Sequence, residues 1–171
     1  MTRPMDFSAT AQDYSRHRAG FPAELFSRLA ALGAFKAGQR VADLGTGTGS
    51  LARGFAHNGC TVTGIDISES LTGEAKRLDQ AAGVTITYHV GRAEDTGLPE
   101  GSFDVVSAGQ SWHWFDRAAA AREARRLLVP GGRLIIAHFD WIASAGNVVE
   151  MTEELIVQYN PAYDPRAWVI G

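Results

Sequence analysis

The chain holds one cysteine, Cys60, in 171 residues, so no internal disulfide can form. A reducing compartment is the natural setting, and a cytoplasmic protein is expected. No apolar run approaches the roughly 18 residues that a membrane span needs. The first twenty residues are polar and charged, with no apolar signal core. An excess of positive charge is also missing. Sixteen Lys and Arg face nineteen Asp and Glu, a formal net charge of −3, which argues against a dedicated nucleic-acid surface. The arginines between Asp116 and Arg126 read as the solvated face of a helix. Histidines 17, 57, 89 and 138 show no metal-ligand spacing, and no metal is expected.

Glycine, by contrast, is plentiful and concentrated. In Val41-Ala42-Asp43-Leu44-Gly45-Thr46-Gly47-Thr48-Gly49-Ser50 an apolar run breaks at an acid, and three glycines follow at every second position. This reads as a buried strand ending in a tight turn whose backbone must come close to a ligand. Around it, five strand candidates alternate with helical stretches: Arg40–Leu44, Thr61–Asp66, Val84–Val90, Phe103–Ala108 and Arg133–Phe139. Four are apolar runs, as in parallel strands covered on both faces. The third alternates apolar and polar residues and suits an edge. The helices expected between them are Ser50–His57, Ser68–Ala82 and Asp116–Leu128, closed by Asn58-Gly59, Gly83 and Pro130-Gly131-Gly132. Phe21-Pro22 opens an earlier helix that Gly33 ends. Asn147 and Glu150 have capping-box spacing for a last helix, Val148 to Tyr159. The expected fold is α/β: a Rossmann-like open, mainly parallel sheet with helices on both faces. Residues 1–20 form an arm or short helix packing over the site, and 21–171 form the ligand-binding domain.

Ligands of such sheets bind beyond the carboxyl ends of the strands. The residues gathered there are Asp43, Gly45, Gly47 and Gly49, then Asp66, then Ala93, Glu94 and Asp95, then Gln110, Ser111 and the Trp112-His113-Trp114 string. Asp66 can accept hydrogen bonds from vicinal ribose hydroxyls. Glu94 or Asp95 can accept from an adenine amino group. Gly47, Gly49 and Ala52 meet the loose dinucleotide fingerprint. Asp43, however, would repel a pyrophosphate, whereas it would face a bound amino acid's ammonium favourably. The chain also shows no second mononucleotide half. S-adenosyl-L-methionine (SAM) therefore fits better than NAD. Trp112 and Trp114 either wall an acceptor pocket or fill core.

The motif from Val41 to Gly49 resembles motif I of the class I SAM-dependent methyltransferases. The likeness extends through Gly64-Ile65-Asp66-Ile67-Ser68, Gly91-Arg92-Ala93-Glu94-Asp95, Phe103-Asp104-Val105-Val106 and Leu127-Leu128-Val129-Pro130-Gly131-Gly132. Ser111-Trp112-His113-Trp114-Phe115-Asp116, with Tyr14, Arg18 and Phe21-Pro22, resembles the trans-aconitate methyltransferase-like, small-molecule branch. That branch has Arg-Pro-x-Tyr-Pro where this chain has Arg18-Ala19-Gly20-Phe21-Pro22. The resemblance implies that Gly45 and Gly47 line the methionine part of SAM, with Asp43 near its amino group, and that Gly49 is a further cofactor-binding residue. Asp66 would hold the ribose, Ile67 would lie against the adenine, and Ala93 and Glu94 would flank its other side. Gln110 and Ser111 would sit beside the sulfonium, Tyr14 and Arg18 would close over the site, and His113 would be the candidate base. The product would be S-adenosyl-L-homocysteine, and the partner a small-molecule methyl acceptor. The family's sheet has seven strands, and the carboxyl-terminal hairpin is expected to be absent here. That leaves the fifth strand's edge to solvent or to a second copy of the chain. A SAM-binding domain without catalysis, or an NAD-type nucleotide binder, are the alternatives.

Overall fold

The computed structural model of the chain describes residues 20–139 and 143–163. Tyr14, Arg18, the arm before Gly20 and the apolar residues after Ala167 lie outside the described residues. The chain divides into two compact units, 1–138 and 139–171.

In the first unit α1 (Ala23–Ala31) leads into β1 (Arg40–Leu44), α2 (Ser50–His57), β2 (Thr61–Asp66), α3 (Glu69–Ala82), β3 (Thr87–Val90), β4 (Phe103–Gly109), α4 (Arg117–Leu127) and β5 (Leu128–Ala137). The five strands form one sheet in the order β3-β2-β1-β4-β5. Every neighbouring pair is parallel. The chain winds outward from β1 to β3, then returns to β1's other side with β4. The strand order therefore reverses between β1 and β4, which opens a crevice at their carboxyl ends.

Alternate side chains of each strand serve opposite faces. Val41, Val62, Val105 and Ile135 join Phe26 of α1 and Leu51, Ala52 and Phe55 of α2 in one core. Phe55 is met edge-on by Phe26 and Phe35, with centroids 5.4 and 5.0 Å away. Ala42, Leu44, Ile65 and Val106 pack on the other face with Ala124 and Leu127 of α4. Close packing decides two of the glycines. A Cβ on Gly54 would meet the Phe26 ring at 1.9 Å, and one on Gly64 the Tyr88 ring at 2.6 Å.

The helix boundaries follow from their caps. Ser68 caps α3 through the amide of Leu71, Asp116 caps α4 through that of Ala119, and Gly83 ends α3 with φ +68°. Beneath α4 the Glu123 carboxylate accepts from the Thr96 amide (3.0 Å) and hydroxyl (2.6 Å) and from Arg126 (2.7 Å). The Arg126 guanidinium holds this carboxyl down at about 2. Cys60 is buried, as expected of a thiol that precedes β2, and burial pushes that thiol up.

Three strands differ from expectation, the fourth only by running one residue further, to Gly109. The third starts at Thr87 rather than Val84, because the Val84 amide is used to close α3 on Asp79 O (3.1 Å). The fifth starts at Leu128 and ends at Ala137 rather than running from Arg133 to Phe139. Leu128 pairs with Phe103, the ladder slips, and Arg133 re-enters opposite Val105. Pro130 cannot donate to a ladder, and Gly131 turns at φ +81°, so the chain bulges between them. As expected, β3 is an edge. β5 is the other edge, burying Ile135 and Ala137 and exposing Leu134 and Ile136.

The second unit holds α5 (Val148–Tyr159) at the expected residues. Asn147 accepts from the Glu150 amide at 2.8 Å, and Glu150 reaches back to the Gly146 amide, one residue beyond the standard capping box.

Candidate functional site

β1 ends in the glycine turn, and each of its glycines has φ near +60° to +80°, the region closed to most side chains (Gly45 +62°, Gly47 +55°, Gly49 +77°). Their surroundings differ. A Cβ on Gly45 would lie 2.7 Å from Ser111 Cβ and 2.8 Å from the Phe115 ring, so this glycine admits the loop after β4. A Cβ on Gly49 would strike the Tyr88 hydroxyl at 2.4 Å. A Cβ on Gly47 would meet nothing within 4 Å. The middle of the turn therefore presents bare backbone to open space, the arrangement a bound ligand needs.

Two carboxylates stand behind this turn. Asp66, at the end of β2, accepts from the Gly47 amide at 2.8 Å with Oδ2 and from the Ser68 amide at 2.9 Å with Oδ1. It faces the glycine turn, and burial raises its pKa against the lowering effect of those amides. Each oxygen keeps a further lone pair for a hydroxyl donor. Asp43 is deeper, at 1% exposure. Its oxygens accept from the Thr46 and Ser107 hydroxyls, both at 2.7 Å, and burial without a cation pushes its pKa up to about 6. Sequence reasoning did not find Ser107. The available signal was a hydroxyl inside the apolar run of β4, at the register position opposite Asp43.

Of the other predicted residues, Ile67, Ala93, Glu94, Gln110 and Ser111 follow the carboxyl ends of the second, third and fourth strands. Ile67 follows Asp66 and is 71% exposed, while Ala93 is buried in the core cluster with Leu44 and Ile65. Glu94 is engaged within the protein: Oε1 accepts from the Asp116 amide at 3.0 Å, and Oε2 pairs with Arg92 at 3.3 Å. It thus ties the loop after β3 to the start of α4. Gln110 holds φ +57°, the one non-glycine in the left-handed region among the described residues, and strain of this kind gathers at ligand sites. Ser111 donates to Leu44 O at 2.9 Å and so clamps the β4 loop onto the end of β1. Phe21 packs against Gly109, where a Cβ would approach its ring to 2.9 Å. The segment before α1 therefore reaches the carboxyl end of β4.

A second missed feature supports the turn from behind. Arg53 of α2 donates to Thr48 O at 2.7 Å and pairs with Asp79 of α3, which accepts from the Tyr88 hydroxyl at 2.8 Å. This chain of contacts runs from α2 through α3 to β3 and braces the glycine turn. Its members are 35 residues apart in sequence at most, and no spacing rule joins them.

His113 lies in the 3-10 turn Trp112–Trp114, exposed, with its ring 4.9 Å from that of Trp114. Trp112 is half-buried against Phe115 at 5.9 Å, whereas Trp114 is 61% exposed. The tryptophan pair thus divides between packing and surface. Among the described residues, no three His, Cys, Asp or Glu side chains gather to hold a metal, and no helix is long and apolar enough to cross a membrane.

Residues 42–136 match the methyltransferase domain family model. An uncharacterised methyltransferase of Mycobacterium tuberculosis is 32% identical over 152 residues, covering 85% of this chain and 59% of that protein. The 27-O-demethylrifamycin SV methyltransferase of Amycolatopsis mediterranei is 39% identical over 119 residues, covering 67% of this chain and 44% of that protein. The chain thus spans about half the length of these relatives. Among solved structures, one from Methanococcus maripaludis, provisionally titled a SAM-dependent methyltransferase, superposes with a TM-score of 0.70 at 20% identity, over 94% of this chain and 76% of that one. That likeness is one of fold, a Rossmann-like parallel sheet with helices.

Proposed function

The chain belongs to the methyltransferase domain family, and we propose that it binds SAM and transfers its methyl group to a small-molecule acceptor. The observation that carries this reading is the Gly45–Gly49 turn, open at Gly47 and backed by Asp66, at the tips of adjoining parallel strands. The residues fit the cofactor. Asp66 offers acceptors to ribose hydroxyls, Ile67 an apolar face to the adenine, and Ala93 and Glu94 the opposite wall. Gly45, Gly47 and Gly49 offer close backbone to the amino-acid tail. Asp43 acts on its ammonium from beneath, through the field of a buried acid. Gln110 and Ser111 flank the reacting centre, and Tyr14 and Arg18 are assigned to its cover. SAM supplies an already activated methyl group, so the protein's work is to align the acceptor with it and to exclude water. His113 is assigned the proton that an acceptor would lose.

The relative from Amycolatopsis bears the name of an O-methyltransferase of a small molecule, which supports that acceptor class here. The likeness to the trans-aconitate methyltransferase-like branch, a cytoplasmic setting and a homodimer across the exposed edge of β5 belong to the same proposal. Sedimentation at micromolar concentration tests the last, and a monomer rejects it.

Calorimetry with S-adenosyl-L-homocysteine and with NAD tests the cofactor. Micromolar binding of the first alone is expected, and binding of NAD alone overturns the proposal. A second reading is SAM binding without catalysis. Labelled SAM offered with carboxylic acids, phenols and amines separates the two readings, since turnover of any acceptor rejects the second.

A further inference from the structure

A second imidazole stands beside His113, and no role has been given to it. β4 and β5 run parallel with Gly109 opposite Ala137, and the Gln110 amide donates to Ala137 O at 2.9 Å. This register sets the residue after β5, His138, next to the loop after β4. The rings of His113 and His138 lie with centroids 5.6 Å apart and planes at 46°. The His113 ring also leans on Trp114, which is mostly exposed. A flat apolar surface and two imidazoles thus sit together at the carboxyl ends of β4 and β5, beside the glycine turn that Ser111 touches. Nothing in the spacing of residues 113 and 138 announces this pairing.

We propose that His113 and His138 form the acceptor side of the site, with a flat aromatic hydroxyl compound as the acceptor. This rests on the methyl-transfer reading above. His113 is the base and His138 a positioning residue acting through it. In the transfer, the acceptor's hydroxyl proton passes to a ring nitrogen of His113. The oxygen's electron pair bonds the methyl carbon, and the pair of the breaking carbon–sulfur bond stays on sulfur. A methyl ether, S-adenosyl-L-homocysteine and an imidazolium result, and the exposed imidazolium returns its proton to solvent. Acidity selects the acceptor class. A phenol, with a pKa of about 10, yields its proton to a base far more readily than an aliphatic hydroxyl, which lies close to water at about 15.7, and proton transfer coupled to bond formation eases the step. Trp114 supplies the face on which an aromatic ring stacks. His138 limits the orientations open to the exposed His113 ring and, while neutral, offers a lone pair to the imidazolium that forms.

The test follows the imidazole nitrogen resonances of the full chain saturated with S-adenosyl-L-homocysteine, while catechol, and separately cyclohexanol, is added. Catechol is expected to shift both His113 and His138 and to leave His57, at the far end of α2, unmoved; cyclohexanol is expected to shift neither. With labelled SAM and catechol, His113→Gln is expected to lower kcat about 100-fold. His138→Gln is expected to lower kcat about 10-fold, with the KM for SAM unchanged, and to weaken the response of the His113 resonance to catechol. A merely structural His138 would instead alter homocysteine-product affinity and leave that response intact. Catechol that moves neither ring, or a His138→Gln protein with wild-type kcat and wild-type His113 response, overturns the inference. Where catechol is not turned over, the resonance shifts decide alone. Failure of S-adenosyl-L-homocysteine to bind sinks the methyl-transfer reading and this one with it. Binding with silent imidazoles sinks this one only.

Discussion

The carboxyl ends of β1 and β2 are built of backbone and buried acid, whereas those of β4 and β5 are built of exposed rings. On the first side, three glycines turn with positive φ, Asp66 accepts two amides, and Asp43 is enclosed by hydroxyls. On the second, His113 and Trp114 stand at the surface and touch each other. In the first half both carboxylates are already held by hydrogen bonds within the protein. The second can be changed without disturbing the core. A common cofactor with a variable acceptor would need such a division, because a scaffold keeps one half fixed while loops alter the other.

Substitutions in the two halves should therefore behave differently, and the largest effect is expected at Gly45. Gly45→Ala places a methyl group against Ser111 and Phe115 in a left-handed conformation. The conformation costs about 1–2 kcal/mol and the crowding about 1–3 kcal/mol. Gly47→Ala, with open space before it, should incur the first cost alone yet abolish binding of S-adenosyl-L-homocysteine. Urea denaturation and calorimetry on both variants check this; equal loss of stability in the two would remove the distinction drawn between these glycines.

Asp43 gives the next largest effect, and it is one of pH. Burial raises its pKa from 3.8 to about 6, so the folded chain holds this proton more tightly than the unfolded chain does. The resulting stability is full below pH 4 and is lost as pH rises through 6, roughly 3 kcal/mol over about two units. Asp43→Asn should lack this decline, so the stability difference between variant and wild type should widen from pH 4 to pH 7. Urea midpoints across that range measure it, and parallel pH profiles would refute it.

Asp66→Ala should weaken S-adenosyl-L-homocysteine binding by roughly 1.5–3 kcal/mol, about 10- to 150-fold. An unchanged dissociation constant would take Asp66 out of the site. The smallest effect belongs to the exposed half. Trp114→Ala should change stability by less than about 0.5 kcal/mol and leave cofactor-product binding alone, while acceptor binding falls. A loss of stability like that at Gly45 would erase the contrast between the two halves.

The legibility of the chain follows the same division. Gly45, Gly47, Gly49 and Asp66 stand within a local pattern, because a turn that brings backbone to a ligand draws on neighbouring residues. Asp43 was legible as an acid near the turn, but its pairing with Ser107 was not, since that contact crosses from β1 to β4. Glu94, expected from the sequence to accept from an adenine, accepts instead from the Asp116 amide and so holds two loops together. The Arg53–Asp79–Tyr88 brace and the His113–His138 pair were invisible for the same reason. Each unites elements that only the sheet order makes neighbours.

Periodicity, caps and glycine spacing alone determined the alternation of strands and helices, the edge position of the third strand and the place of the glycine turn. These are local matters, settled by which backbone conformations and buried faces a short stretch can adopt. The tertiary structure decided which acids are paired and with what, where β5 breaks its ladder, and that two histidines twenty-five residues apart face one another. Those outcomes depend on strand register, and register is fixed by packing between segments rather than within any one of them.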